Sequence, residues 1–242
     1  EAGRIPQTDR RRGRKIMLTG KKAVIFDMDG SLVDSMWIWP EVDRIYMEKY
    51  HLSEPATFHK DIEGMSYTET AQYFVDTFQT LNRTREEVMQ DWRDMAVELY
   101  ATKVVPKPGA VEFLDEMKRR GVLLGIATSN DRKIAQAALD ARGLNEYFTS
   151  VCTSSEVAAG KPAPDMYLKV AGDLGVDPAE CLVFEDIPNG ILAGKNAGME
   201  VCAVDDDFSR RDEQEKKRLA DYYIHDFYEI MNGTYEKCGV VE

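Results

Sequence analysis

The alternation of apolar and polar residues changes character twice along this chain. Lys22 is followed by the apolar run Ala23-Val24-Ile25-Phe26, which stops abruptly at Asp27. A short run rich in β-branched residues reads as a strand buried on both faces. From about Ser35 to Val105 the apolar residues recur at helical spacing instead. Phe74, Phe78 and Leu81 fall at i, i+4, i+7 behind a Ser66–Glu69 capping box, and Val88, Trp92, Met95 and Leu99 form a second stripe behind Thr84–Glu87. With an aromatic-rich helix from about Met36 to Tyr50, these stripes predict a small helical bundle with its own core.

From Pro106 helices alternate with short apolar strands. A helix starting at Pro108 carries Val111, Leu114 and Met117 and ends at Gly121. Strands are expected at Val122 to Ala127, Thr149 to Thr153, Cys181 to Phe184, Glu200 to Val204 and Tyr222 to Ile224. Helices are expected over Asp131 to Arg142, Pro164 to Leu174, Asn189 to Ala197 and Ser209 to Ala220. This is the pattern of an α/β fold, a Rossmann-like parallel sheet covered on both faces. The expected division is therefore an α/β core of residues 18–34 and 106–242, and an inserted all-α bundle of residues 35–105. Hinges are expected near Leu32 to Ser35 and Lys103 to Pro108.

Composition narrows the class. Among 242 residues, 43% are hydrophobic, enough for a sizeable core, which excludes disordered and fibrous classes. No apolar run approaches the roughly 20 residues that cross a bilayer, so a soluble, cytoplasmic protein without a membrane partner is expected. Cys152, Cys181, Cys202 and Cys238 lack C-x-x-C spacing, so neither disulfides nor zinc are indicated. A formal charge of -12 argues against nucleic acid, and an anionic substrate would need a locally positive pocket. Arg4, Arg10, Arg11, Arg12, Arg14 and Lys15 run against that balance. Residues 1–17 are read as a basic leader or a misread start, with a nucleic-acid arm as the other reading. A monomer or weak oligomer is expected.

In an open parallel sheet, ligands bind beyond the carboxyl ends of the strands, so polar residues just after strands are the candidates for chemistry. Asp27 and Asp29 stand two apart at the first strand end, on one side of extended chain, and Gly30 allows a tight turn and close approach to a ligand. Thr128-Ser129-Asn130 precede a helix, where free N–H groups suit an anion or simply an N-cap. In Gly160-Lys161-Pro162-Ala163-Pro164-Asp165, two prolines stiffen the backbone around one lysine, which reduces the entropy lost in fixing the cation on an anion. Glu185 and Asp186 end another apolar run, where unpaired acids are costly without a cation such as Mg²⁺. Asp205, Asp206 and Asp207 are read as a solvated acidic turn.

Asp27-Met28-Asp29-Gly30-Ser31-Leu32-Val33-Asp34-Ser35 resembles the first motif of the haloacid dehalogenase-like hydrolases, in the branch holding β-phosphoglucomutase and many small-molecule phosphatases. The other three stretches follow in that family's order, and Glu185-Asp186-Ile187-Pro188-Asn189-Gly190 is trailed by Ala193, Ala197 and Gly198 as the family would have it. The resemblance implies Asp27 as nucleophile and Asp29 as general acid/base. It implies Mg²⁺ held by Asp27, the backbone oxygen of Asp29, and Asp186, with Glu185 reaching the metal through water. Thr128, with its neighbours Ser129 and Asn130, and Lys161 would bind the phosphoryl group, and the helical insertion would act as a cap.

An acid at Asp29 favours phosphoester chemistry over dehalogenation. Where β-phosphoglucomutases carry a histidine and an arginine, this chain has Trp39 and Tyr67, which favours a phosphatase of a small phosphate ester over a mutase. Trp37 and Trp39 either stack on a flat substrate group or pack in the bundle. A non-catalytic phospho-ligand binder is the alternative of another class, against which the retention of Asp27 and Asp29 argues.

Overall fold

A computed structural model describes residues 17–62, 65 and 67–239. The described chain falls into two compact units, one of residues up to Met36 and from Val104 onward, the other Trp37–Lys103. The basic leader before Met17 and the Ser66 half of one expected capping box lie outside the described residues.

The first unit is built on a seven-stranded sheet in the order β5-β4-β1-β6-β7-β8-β9. Its strands are β1 (Ala23–Phe26), β4 (Leu123–Thr128), β5 (Ser150–Thr153), β6 (Cys181–Glu185), β7 (Glu200–Val204), β8 (Tyr222–Ile224) and β9 (Glu236–Lys237). All pairs are parallel except β8 with β9. β1 lies between β4 and β6, with Phe26 level with Ile126 on one side and Phe184 on the other. The chain leaves β1 for β4 and β5, then returns to β6, β7 and β8 on its far side. Strand order thus reverses at β1, where parallel sheets place their ligands.

Both faces are covered, which is why the strands read as unbroken apolar runs. One face carries an aromatic cluster in which Phe26 stacks on Phe184 at 5.2 Å, with Phe113 of α5 (Ala110–Arg119) and Phe227 against them. The other packs Ala23, Ile25 and Val183 against Met166, Tyr167 and Val170 of α7 (Asp165–Leu174) and Ile191 of α8 (Pro188–Asn196). The helix α6 (Arg132–Ala141) begins at Asp131, whose side chain accepts from Lys133 N at 2.8 Å.

Several boundaries move. Pro108 does not start α5; Gly109, in the left-handed region at φ 76°, is its N-cap. The expected helix from Ser209 is a 3-10 stretch Asp207–Asp212 leading into α9 (Glu213–Leu219). A two-stranded antiparallel ribbon, β2 (Val33–Asp34) with β3 (Val105–Pro106), was not expected. Nor were α10 (Tyr228–Asn232) and the edge strand β9. At two to five residues these elements are too short for periodicity to register.

The second unit is helical: α1 (Ile38–Lys49), α2 (Phe58–Asp61), α3 (Tyr67–Thr77) and α4 (Arg85–Thr102). The Thr84–Glu87 capping box forms, with Glu87 N donating to Thr84 Oγ1 at 3.2 Å and Thr84 N to Glu87 Oε2 at 2.8 Å. Its core is aromatic, Phe74 lying 4.9 Å from Trp92 and 5.9 Å from Tyr46. The buried stripe of α4 is Val88, Trp92, Ala96 and Tyr100, so Met95 and Leu99 are only half-buried. The small Ala96 and the i, i+4 rhythm set by Trp92 turn the packing face away from the bulkier aliphatics. α3 ends at Thr77, and Phe78 and Leu81 are buried in the turn beyond it. No helix among the described residues is long and apolar enough to cross a membrane.

Candidate active site

At the tip of β1 the backbone of Asp27 is still in the sheet, its N–H donating to Phe184 O at 2.9 Å. The chain then closes a tight loop: Leu32 N and Val33 N both donate to Met28 O at 3.0 Å, and Gly30 N to Val33 O at 2.9 Å. Gly30 has φ 80°, and a Cβ there would overlap the Asp186 carboxylate. The close approach that glycine permits is therefore to Asp186 of the neighbouring strand end. Ser31, on the same loop, donates to Asp186 Oδ1 at 3.0 Å.

Asp27, Glu185 and Asp186 are buried, and one oxygen from each lies within 4.8 Å of the others. Among the described residues, one cation is ion-paired with them. Lys161 Nζ is ion-paired to Asp27 Oδ1 and, at 2.6 Å, to Glu185 Oε1, with its side chain 5% exposed. Glu185 also accepts from Tyr167 OH at 2.6 Å and from its neighbour Asp186 N at 3.2 Å. A Cβ at Gly190 would overlap the Glu185 carboxylate, so the glycine that closes this motif makes the room in which Glu185 sits.

The electrostatics follow from burial. It pushes the Asp27 carboxyl well above its usual range, reinforced by Glu185, Asp186 and Asp29 and opposed by Lys161. Burial alone would lower the Lys161 ammonium, but Asp27 and Glu185 outweigh it and raise it. Asp186 is pushed up to about 8 by burial and then by Glu185 and Asp206, against Ser31 and Lys216. Its Oδ2 is buried with no hydrogen-bond partner among the described residues. Three buried carboxylates with one lysine and one orphaned oxygen are a donor set short of positive charge. Such an all-oxygen set fits a hard divalent cation like Mg²⁺.

Neutral side chains reach Asp29. Ser35 Oγ donates to its Oδ1 at 2.6 Å; Asn130 Nδ2 at 3.2 Å and Thr128 Oγ1 at 3.4 Å donate to its Oδ2. Thr128 also accepts from Asn130 N at 3.0 Å, which shapes the turn after β4. Thr128 and Asn130 thus meet Asp29, whereas Ser129 is exposed and its carbonyl accepts from Ser154.

The reading of Asp205, Asp206 and Asp207 as a solvated turn is corrected. Asp206 is 3% exposed and paired with Lys107 Nζ at 2.6 Å, and Asp205 accepts from Tyr223 OH at 2.9 Å. Lys216, fully buried, donates to Val204 O and Ser209 Oγ at 2.9 Å each. Lys107, distant in sequence, and Arg210, close by, neutralise this loop, and of the three aspartates only Asp207 is exposed.

Sequence reasoning missed Ser31, Ser35 and Tyr167. Ser31 and Ser35 lie within the quoted motif, but a serine in a turn carries no signal of its own. A tyrosine in an apolar helix stripe signals only that its hydroxyl will need a partner. In the helical unit, Trp39 is 37% exposed and meets Tyr67 edge-on at 5.6 Å, while Tyr67 OH donates to Met89 O at 2.8 Å.

Comparisons with known proteins point one way. The haloacid dehalogenase-like hydrolase family model matches residues 21–198. A probable pseudouridine-5'-phosphatase of Drosophila melanogaster is 34% identical over 188 residues, 75% of this chain and 80% of that protein. Hexitol phosphatase A of Escherichia coli is 32% identical over 187 residues, 76% of this chain and 82% of that protein. The crystal structure of a putative beta-phosphoglucomutase from Thermotoga maritima superposes with a TM-score of 0.74 at 28% identity, covering 87% of this chain and 97% of that one. With a family match over most of its length and the α/β core that such structures share, the chain belongs to the haloacid dehalogenase-like hydrolases, on the side of that family whose members are phosphatases.

Proposed function

We propose that the chain is a Mg²⁺-dependent phosphomonoester hydrolase of a small phosphorylated metabolite, a sugar phosphate or similar, working through an aspartyl phosphate on Asp27. The observation that carries this reading is the strand-tip cluster itself. A carboxylate held by Lys161 lies beside a second carboxylate, Asp186, whose buried Oδ2 has no hydrogen-bond partner among the described residues.

In this reading an Asp27 oxygen attacks phosphorus and the bond to the ester oxygen breaks. Asp29 gives its proton to the departing alkoxide, then takes one from the water that attacks phosphorus and frees Asp27. Ser35, Thr128 and Asn130 aim Asp29 by their hydrogen bonds. Lys161, paired with Asp27, balances the charge that the phosphoryl group brings. Asp27, Asp186 and the backbone of Asp29 would hold Mg²⁺, which when bound supplies positive charge to the transferring oxygens. Glu185, boxed by Lys161, Tyr167 and Asp186 N, acts behind them. We assign Thr128, Ser129 and Asn130, with Gly30, to the phosphoryl pocket, and to the helical unit the selection of the leaving group.

The relatives' names span a nucleotide-like and a hexitol phosphate, which supports a small phosphorylated metabolite as the class. The test is a screen of phosphate release across sugar, polyol and nucleoside phosphates with and without excess chelator, beside a coupled assay for β-glucose 1-phosphate isomerisation. Release that chelation abolishes is expected. Full turnover in chelator would remove the metal from the reading, and isomerisation outpacing release would make the chain a mutase.

A further inference from the structure

Tyr167 is fully buried in the apolar layer between α7 and the sheet, among Met166, Val170, Ile25 and Val183. Packing there asks only for a ring, and phenylalanine would supply one without a hydroxyl to satisfy. The hydroxyl donates to Glu185 Oε1 at 2.6 Å. The same oxygen takes Lys161 Nζ at 2.6 Å, and that ammonium is also paired with Asp27 Oδ1. The tyrosine meets the lysine a second time through its ring, whose centroid is 5.2 Å from Lys161 Nζ.

Glu185 is therefore closed in on every side. Tyr167 OH and Lys161 share Oε1, Asp186 N reaches Oε2, and the bare backbone of Gly190 lies against the carboxylate. A carboxylate oxygen already engaged by a hydroxyl competes less strongly for an ammonium. The lysine can then lean toward Asp27. Without the hydroxyl, Oε1 of the fully buried Glu185 would keep Lys161 but lose its second donor, and the ammonium would be drawn toward it.

We propose that Tyr167 is a positioning residue which, through Glu185, holds the Lys161 ammonium on Asp27, the carboxylate that receives the phosphoryl group in the proposed reading. The proposal rests on the phosphatase reading for its effect on turnover, but not for its effect on Lys161. Tyr167→Phe keeps the ring and its packing and removes only the hydroxyl.

Two measurements decide it, on the full chain. The first is kcat/KM for the best substrate of the phosphate-release screen in Tyr167→Phe, Glu185→Gln and the double variant. Tyr167→Phe is expected to lower kcat/KM about tenfold in the parent and less than twofold in the Glu185→Gln background, because a residue acting through Glu185 has nothing to act on once that carboxylate is gone. The second is the NMR spectrum of protein labelled with ¹⁵N-lysine, with the Lys161 ammonium assigned by Lys161→Arg. Its slowly exchanging signal is expected to shift or vanish in Tyr167→Phe. The signal of Lys216, which is fully buried and bonded to Val204 O and Ser209, should stay.

An unchanged Lys161 signal with unchanged kcat/KM overturns the proposal, and so does an equal loss in both backgrounds. Loss of the Lys161 and Lys216 signals together would make Tyr167 a packing residue and overturn it too. A parent protein that releases phosphate from no ester overturns the phosphatase reading, while the lysine spectrum still decides the role of Tyr167.

Discussion

Two acidic clusters stand at neighbouring strand ends of the same sheet, and they are compensated to different degrees. At the tips of β1 and β6, Asp27, Glu185 and Asp186 share one lysine, and one carboxylate oxygen has no partner among the described residues. Beyond β7, Asp206 has Lys107, Asp205 has Tyr223 and, at 3.1 Å, Arg210, and Arg210 also meets Asp207. The second cluster is balanced by the protein itself. The first holds more carboxylates than cations among the described residues, and in the proposed reading a cation and an anion from outside complete it. Uncompensated charge in a buried position destabilises a fold, which makes the first cluster the candidate ligand site.

The largest test of that contrast lies inside the first cluster. Asp27→Asn should abolish phosphoenzyme formation and lower turnover by about 10⁴-fold or more, the scale on which loss of a covalent nucleophile acts. Asp29→Asn should cost about 10²- to 10⁴-fold with an alkyl phosphate. With nitrophenyl phosphate, whose leaving group departs without a proton, it should show a burst of nitrophenol and then slow turnover. Rapid-quench and stopped-flow measurements read both. A loss of the burst in Asp29→Asn as severe as in Asp27→Asn would take the acid/base role from Asp29.

The same substitution placed in each cluster comes next. Asp186→Asn should weaken Mg²⁺ binding at least about tenfold, read by titration calorimetry, and leave melting in chelator unchanged or higher, since burial already disfavours the charged carboxylate there. Asp206→Asn should do the reverse. It strands the Lys107 ammonium, whose side chain is 11% exposed, and should lower stability by about 3 kcal/mol while Mg²⁺ affinity stays within about threefold. If Asp206→Asn weakened Mg²⁺ as much as Asp186→Asn, the two clusters would be one.

The smallest effect belongs to a carboxyl outside both. Burial, with Glu54 adding and His59 opposing, raises Asp43 of α1 to about 6. The fold therefore favours the protonated form. Its contribution is fully present below the unfolded value near 3.8 and is lost as pH rises through about 6. Asp43→Asn should raise stability at pH 7.5 by on the order of 1 kcal/mol and lose that advantage near pH 4. Thermal melts of parent and variant across that range check it; a constant difference would show that Asp43 titrates normally.

What the sequence disclosed depended on how local the cause was. β1, β4, β6 and β7 were legible because strands covered on both faces read as apolar runs, and Asp27, Lys161 and Asp186 because each closes or follows such a run in a stretch of distinctive residues. Asp206 was misread because its partner Lys107 is 99 residues away, and three consecutive aspartates look solvated without it. The role of Tyr167 was hidden for a related reason. Its bond is to Glu185, 18 residues on, and within its own helix it is simply one more apolar position. The ribbon of β2 and β3 left no trace, since two residues cannot show a period.

That ribbon bears on how such a chain diversifies. Val33 pairs with Pro106 and Asp34 with Val105, so the points where the polypeptide leaves and rejoins the sheet unit are adjacent rungs of one ladder. A segment whose two ends are stapled side by side can be lengthened, replaced or traded for another of different length without shifting the register of any strand. Shuffling at these two rungs leaves Asp27 and Asp186 where they stand, so in the proposed reading a new leaving group would be reached by exchanging a cassette while the phosphorus chemistry is inherited intact.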